Sequence, residues 1–184
     1  MPDTPFAHDS APYLAPRPDG RPDAWTEETR ARGRVGGQRI LFAGEVPADE
    51  EIATRLDVPV GEPVVVRRRI IELDGVPTEL TDTHYPTAIA RDTALAGTAK
   101  ITGGAVTLLA RLGHVGARIT EEITARLPTP AERELLALPT DPPDPLLRVT
   151  RTTHDAHGRP IQVDVMLMPA SRNTLHHETP VPPA

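Results

Sequence analysis

Residues 63–86 read PVVVRRRIIELDGVPTELTDTHYP, and residues 145–169 read PLLRVTRTTHDAHGRPIQVDVMLMP. The two stretches share a plan. Each opens on proline (Pro63, Pro145), carries an arginine six residues later (Arg69, Arg151), passes a Gly-x-Pro turn and closes on proline (Pro86, Pro169). Both are rich in Val, Ile, Leu and Thr, which fit a pleated surface. Turns at Gly75-Val76-Pro77 and Gly158-Arg159-Pro160 make each a hairpin. The likeness extends upstream. Val46-Pro47 aligns with Leu127-Pro128, and Leu56-Asp57-Val58-Pro59 with Leu136-Ala137-Leu138-Pro139, at an offset of about 81.

A short helix lies between the upstream landmarks of each copy. Thr129-Pro130-Ala131-Glu132 is a capping-box pattern with proline at the first helical position, where its missing N–H costs nothing. In the first copy Asp49, Glu50 and Glu51 put negative charge at the positive helix end, and Ile52 and Leu56 share a face. Between the copies, Val106, Leu108, Leu109 and Leu112 recur at helical spacing, with Gly113 placed to end that helix. Two β-α-β-β units joined by a helical insert predict an α+β fold. Its six-stranded, mainly antiparallel sheet has helices on one face and a pseudo-two-fold between the halves.

The ends read differently. Residues 1–24 are dominated by Pro, Asp and small side chains, too little apolar surface to offset the entropy of ordering, and predict a flexible arm. Residues 25–37 predict a linker with a short helix AWTEETRAR, residues 38–176 the folded domain, and residues 177–184 a flexible tail.

Composition narrows the function. The net charge of −6 provides no basic field for nucleic acid or an anionic membrane, and the absence of cysteine excludes disulfides and thiolate metal sites. No apolar run reaches the ~18–20 residues that span a bilayer, and the N-terminus has no signal-peptide core. These features predict a cytoplasmic protein without a membrane partner. His154-x-x-His157 and His176-His177 lack a completing carboxylate at metal-site spacing and read as turn and tail histidines, so no metal or other cofactor is expected.

Strand alternation addresses the arginines. Leu147, Val149 and Arg151 share one face, while Arg148, Thr150 and Thr152 share the other, so Arg151 is expected to point inward. The repeat carries the same face to Val65, Arg67 and Arg69. An inward guanidinium keeps its charge and needs a partner. Two partners remain open: an internal carboxylate such as Asp164, Glu122 or Asp82, or an anionic ligand in a shared cavity.

The first hairpin, the insert ITGGAVTLLARLG, and the segments ARLPTPAERELLALP and PLLRVTRTTHDAHGRPIQVDVMLMP together resemble the UTRA domain. That is the effector-binding module of HutC-type GntR transcription regulators. The resemblance covers roughly Gln38 to Leu175 and implies the chorismate lyase-like fold, a small-molecule effector and a homodimer. It implies two arginines separated by one residue on the first hairpin. Counted back from the turn proline, these fall on Arg69 and Ile71. An acidic position falls on Thr81, and a serine that opens the inserted helix falls on Gly104. The candidate pocket is therefore Arg69, Thr81, Thr102, Gly103, Gly104, Ala105, Arg151 and Gln162. With those departures, a carboxylate-bearing ligand with an apolar body fits better than a sugar phosphate.

About 37 residues precede the first strand, and they contain no recognition helix. The chain thus reads as a stand-alone effector domain that does not bind DNA directly. The alternative is a lyase- or cyclase-like enzyme using the same pocket. Such chemistry needs a group poised for proton transfer, and His84 and Asp82 are the candidates.

Overall fold

The computed structural model describes residues 5–9, 13–18 and 20–178. Strand β1 (Phe6–Asp9) is followed by helix α1 (Ala24–Ala31), strand β2 (Gly36–Pro47) and helix α2 (Glu50–Leu56). The first hairpin is β3 (Pro63–Leu73) and β4 (Val76–Pro86). The insert holds α3 (Thr87–Ala90), a 3-10 turn (Ala94–Ala96) and α4 (Ala105–Arg111). The second unit is β5 (Arg118–Arg126), α5 (Pro130–Leu135), β6 (Leu146–His154) and β7 (Pro160–Pro169), and β8 (Asn173–His176) closes the order.

Six strands form one antiparallel sheet in the order β2-β3-β4-β7-β6-β5. This order reads the same from both edges inward: each repeat supplies three strands, and the two meet at the β4–β7 seam. The likeness extends to backbone strain. Asp57 and Ala137, aligned in the repeat, both take left-handed φ values (55° and 48°) just after their helices. Each is followed by a residue whose N–H returns to the helix, Val58 to Ala53 and Leu138 to Arg133. This is the backbone stop that a C-terminal glycine usually provides. The structure is α+β, as the repeat implies.

Alternation sorts the core into two layers. Val64 and Val163 pack under α2 with Ile52, Ala53 and Leu56. Ile70, Leu80, Leu146 and Leu167 pack under Leu136 and Leu138, which follow α5. On the opposite face Val65 and Tyr85 pack against Ala90, Leu95 and Leu109 of the insert. Helices therefore cover both faces, not one. The face of Arg148, Thr150 and Thr152 looked polar in sequence, yet Thr150 and Thr152 are buried, and Arg148 reaches Glu51 of α2 at 2.6 Å.

The arm expected to be flexible over residues 1–24 is ordered in part. β1 pairs in parallel with β8, Phe6 opposite Asn173. Phe6 meets Trp25 edge to face at 5.2 Å, and Arg32 stacks over it at 4.1 Å. An aromatic pair and a cation–π contact provide the anchoring that the composition of the arm did not suggest. Residues 1–4, 10–12 and 19 of the expected arm, and 179–184 of the expected tail, lie outside the described residues. Among the described residues no helix is long and apolar enough to cross a membrane.

A candidate ligand-binding cavity on the sheet

The insert face of the sheet carries a cavity of about 190 Å³. Its floor is built by alternate residues of the sheet: Arg67, Arg69 and Ile71 of β3, Val149 and Arg151 of β6, and Gln162, Asp164, Met166 and Met168 of β7. Tyr85, Glu79 and Glu121 add to the walls, and Gly103, Gly104 and Ala105 lie at its border where α4 begins. Gly103 and Gly104 have φ values of 79° and 85°, a region that L side chains rarely adopt, so the backbone can turn tightly there. Arg69 and Arg151 thus line one cavity, beside the start of α4.

The arginines play different parts. Arg67, only 3% exposed, donates to the carbonyls of Ala94 (3.0 Å), Leu95 (3.4 Å), Gly97 and Ala99 (3.2 Å). It is spent on fixing the insert over the sheet. Burial pushes its pKa below the ordinary arginine value, and the Arg69 charge adds to this. Arg151 donates through Nε to Glu121 Oε1 at 2.7 Å, across the β5–β6 register, and both side chains are 12% exposed. None of the three carboxylates considered in sequence takes that place. Asp82 is gripped by Arg68 (2.8 and 2.5 Å), Glu122 by Arg55 (2.7 Å), and Asp164 accepts from Thr83 (2.7 Å) and Gln162 (2.6 Å).

Arg69 is the less engaged guanidinium. Its Nη2 approaches Thr83 Oγ1 at 3.4 Å, and its Nε is buried with no hydrogen-bond partner. The hydroxyl of Tyr85 is also buried and unpartnered, and burial, reinforced by Asp164, pushes its pKa well above the usual tyrosine value. By contrast, each carboxylate lining the cavity already accepts a hydrogen bond: Asp23 from Thr26, Glu79 from Thr81, Glu121 from Arg151, and Asp164 as above. The cavity holds unused donors against an apolar wall of Ile71, Val149, Met166 and Met168.

Six of the eight sequence candidates line the cavity: Arg69, Gly103, Gly104, Ala105, Arg151 and Gln162. Two do not. Thr81, 1% exposed, bonds to Glu79 instead, and Thr102 lies outside the lining. Arg69 and Ile71 both face the cavity, and Arg67 on the same strand face adds a second cavity-facing arginine, separated from Arg69 by one residue. The proton-transfer candidates Asp82 and His84 stand opposite Arg68 and Val66, on the α2 side of the sheet, away from the cavity.

The UTRA domain family model matches residues 31–174. An uncharacterized HTH-type transcriptional regulator from Rhizobium meliloti (strain 1021) is 31% identical over 145 residues, 78% of this chain and 57% of that protein. The curated relatives matched are longer, and the chain spans 52–62% of their lengths. The crystal structure of the effector domain of PhnF from Mycobacterium smegmatis superposes with a TM-score of 0.72 at 25% identity, covering 85% of this chain and 94% of that one. The ligand-binding domain of a GntR-family regulator from Bordetella bronchiseptica gives 0.70 at 26%, covering 91% and 96%. With a family match over most of its length and the fold of GntR effector domains, this chain belongs to the UTRA domain family.

Proposed function

We propose that the chain is the effector-sensing part of a HutC-type GntR regulator. Its cavity takes a small metabolite with an anionic, carboxylate-bearing head and an apolar body. The carrying observation is the imbalance of hydrogen-bonding capacity. Arg69 Nε and Tyr85 Oη are buried donors without acceptors, whereas the lining carboxylates are already engaged. An unmet buried donor raises the free energy of the empty state, and an incoming acceptor relieves it. A guanidinium stays charged at any working pH, so an anionic acceptor gains most. Met166, Met168, Val149 and Ile71 favour an apolar body beside that head. The domain works in the cytoplasm as a homodimer, and DNA contact falls outside this chain.

Native mass spectrometry of freshly purified protein tests this reading. The expected result is an adduct that is released on denaturation and detected as an anion, and that the Arg69→Met variant fails to retain. A neutral or cationic adduct retained equally by Arg69→Met would overturn it.

A further inference from the structure

Residues 13–17 lie outside the family-matched span, yet they form a wall of the cavity. Tyr13, Ala15 and Arg17 are part of its lining. The segment is tethered at both ends. The Tyr13 hydroxyl donates to Glu28 of α1. The Arg17 N–H donates to Thr107 Oγ1 at 3.0 Å, and that hydroxyl in turn donates to the Gly103 carbonyl at 2.7 Å. The Arg17 side chain forms an ion pair with Glu27, and its Nε is left buried with no hydrogen-bond partner. Among the described residues, the cavity-lining side-chain atoms in that condition are Arg17 Nε, Arg69 Nε and Tyr85 Oη. Two come from the sheet and one from the strap, and all three can donate.

We propose that Arg17 is a ligand-contacting residue. An anionic group in the cavity is gripped between Arg69 on the sheet and Arg17 on the strap, so that occupancy pins residues 13–17. The proposal rests on the anion-binding reading above and extends it to a residue that the family match does not reach. A ligand held by both walls lowers the free energy of the closed strap relative to the open one. Any segment preceding α1 is thereby coupled to occupancy through its differential contacts. Arg17 also meets a carboxylate, Glu27, but its Nε is left to donate. Arg151 has its Nε on Glu121, and Arg67 is consumed by the insert carbonyls.

The chain provides its own reporters. Trp25 is its single tryptophan and lines the cavity, and no cysteine is present, so Ala15→Cys introduces a lone thiol on the strap. The full chain is titrated with phenylacetate and with the uncharged phenylacetamide, following Trp25 fluorescence, for the wild type, Arg17→Met and Arg69→Met. The reaction of the Ala15→Cys thiol with N-ethylmaleimide is timed with and without saturating phenylacetate. Arg17→Met keeps the fold, because Glu27 retains Arg21 at 3.0 Å; its circular dichroism spectrum is the control. The expected result is a loss of phenylacetate affinity of roughly 30-fold or more in each arginine variant, with phenylacetamide affinity unchanged and thiol labelling slowed by phenylacetate. If Arg69→Met weakens phenylacetate but Arg17→Met does not, or if labelling is indifferent to phenylacetate, the strap proposal falls while the anion-binding reading stands. If the wild type binds no phenylacetate, both fall together.

Discussion

Arg69 and Arg151 occupy equivalent places in the two repeats, and their surroundings give them opposite duties. Arg151 completes an ion pair with Glu121 in which both partners are largely buried. Removing one member of such a pair strands the other, and the stranded charge is the larger cost. Arg151→Met is therefore expected to destabilise the fold by about 1–3 kcal/mol in urea denaturation. The double variant Arg151→Met/Glu121→Leu should recover most of that loss. Arg69 has no carboxylate partner among its hydrogen bonds, so Arg69→Met is expected to leave the denaturation midpoint nearly unchanged and to act on ligand binding instead. Alternation revealed in sequence that both arginines point inward. It could not show which of them meets a carboxylate, because that depends on register with β5, fixed only once the strands pair.

Among the elements, α5 shows how much a short helix depends on its ends. The Thr129 hydroxyl accepts from the Glu132 N–H, and the Glu132 carboxylate accepts from the Thr129 N–H at 2.8 Å, closing the box legible in the sequence. Arg126 then grips both Glu132 oxygens, at 2.7 and 2.6 Å. The Arg126 fork, with the Thr129 hydrogen bonds, lowers the Glu132 pKa from 4.5 to about 2. A depressed carboxylate stabilises the fold fully above its unfolded value and loses that contribution as pH falls through its folded value. The stability gap between wild type and Glu132→Gln is thus expected to be constant above pH 4.5 and to close as pH falls towards 2, measured as the difference in urea midpoint. A gap that is the same at both ends of that window would show the ion pair to be inert. The docking of α1 depends on a different kind of detail. A Cβ on Gly36 would lie 2.6 Å from Thr29 Oγ1 and 2.7 Å from Trp25 Nε1. Gly36→Ala should therefore displace α1, cost about 1–3 kcal/mol and red-shift Trp25 fluorescence. Unlike the capping box, this close approach has no signature in local sequence. Gly36 reads as an ordinary glycine ahead of a strand, and the contact exists only because α1 folds back on β2.

For the molecule as a whole, the repeat made the sheet legible: offset, turns and helix stops all recur in the fold. The cavity was half legible. Its floor obeys a period of two, but the ribbon that brings Leu175 to it depends on partners more than 150 residues apart, Phe6 with Asn173. Pairing at that distance leaves no periodic trace in a four-residue strand. Among the described residues the sheet also ends in two unpaired edges, β2 and β5, and most of β5 is exposed, including Ile123 at 45%. An exposed edge of this kind is a template for pairing with a second copy. Light scattering at tens of micromolar is expected to report twice the chain mass, and a strict monomer would remove the dimer from the proposed function.

The pairing of the first strand with the last also sets a timetable. During synthesis the arginine-bearing floor can assemble as soon as β7 has left the ribosome. β1 must wait for β8, and so for nearly the whole chain. Closing so long a loop is entropically costly, and a two-stranded ribbon of this length repays little. The ribbon, which brings Leu175 to the cavity lining, is therefore the last part of the site to form. By the same arithmetic it is the first to be lost, exchanging its amide hydrogens through local opening well before the six-stranded sheet gives way. A nascent or partly loosened molecule thus holds its arginine-bearing floor before Leu175 reaches it, and the lining is complete only with the final strand.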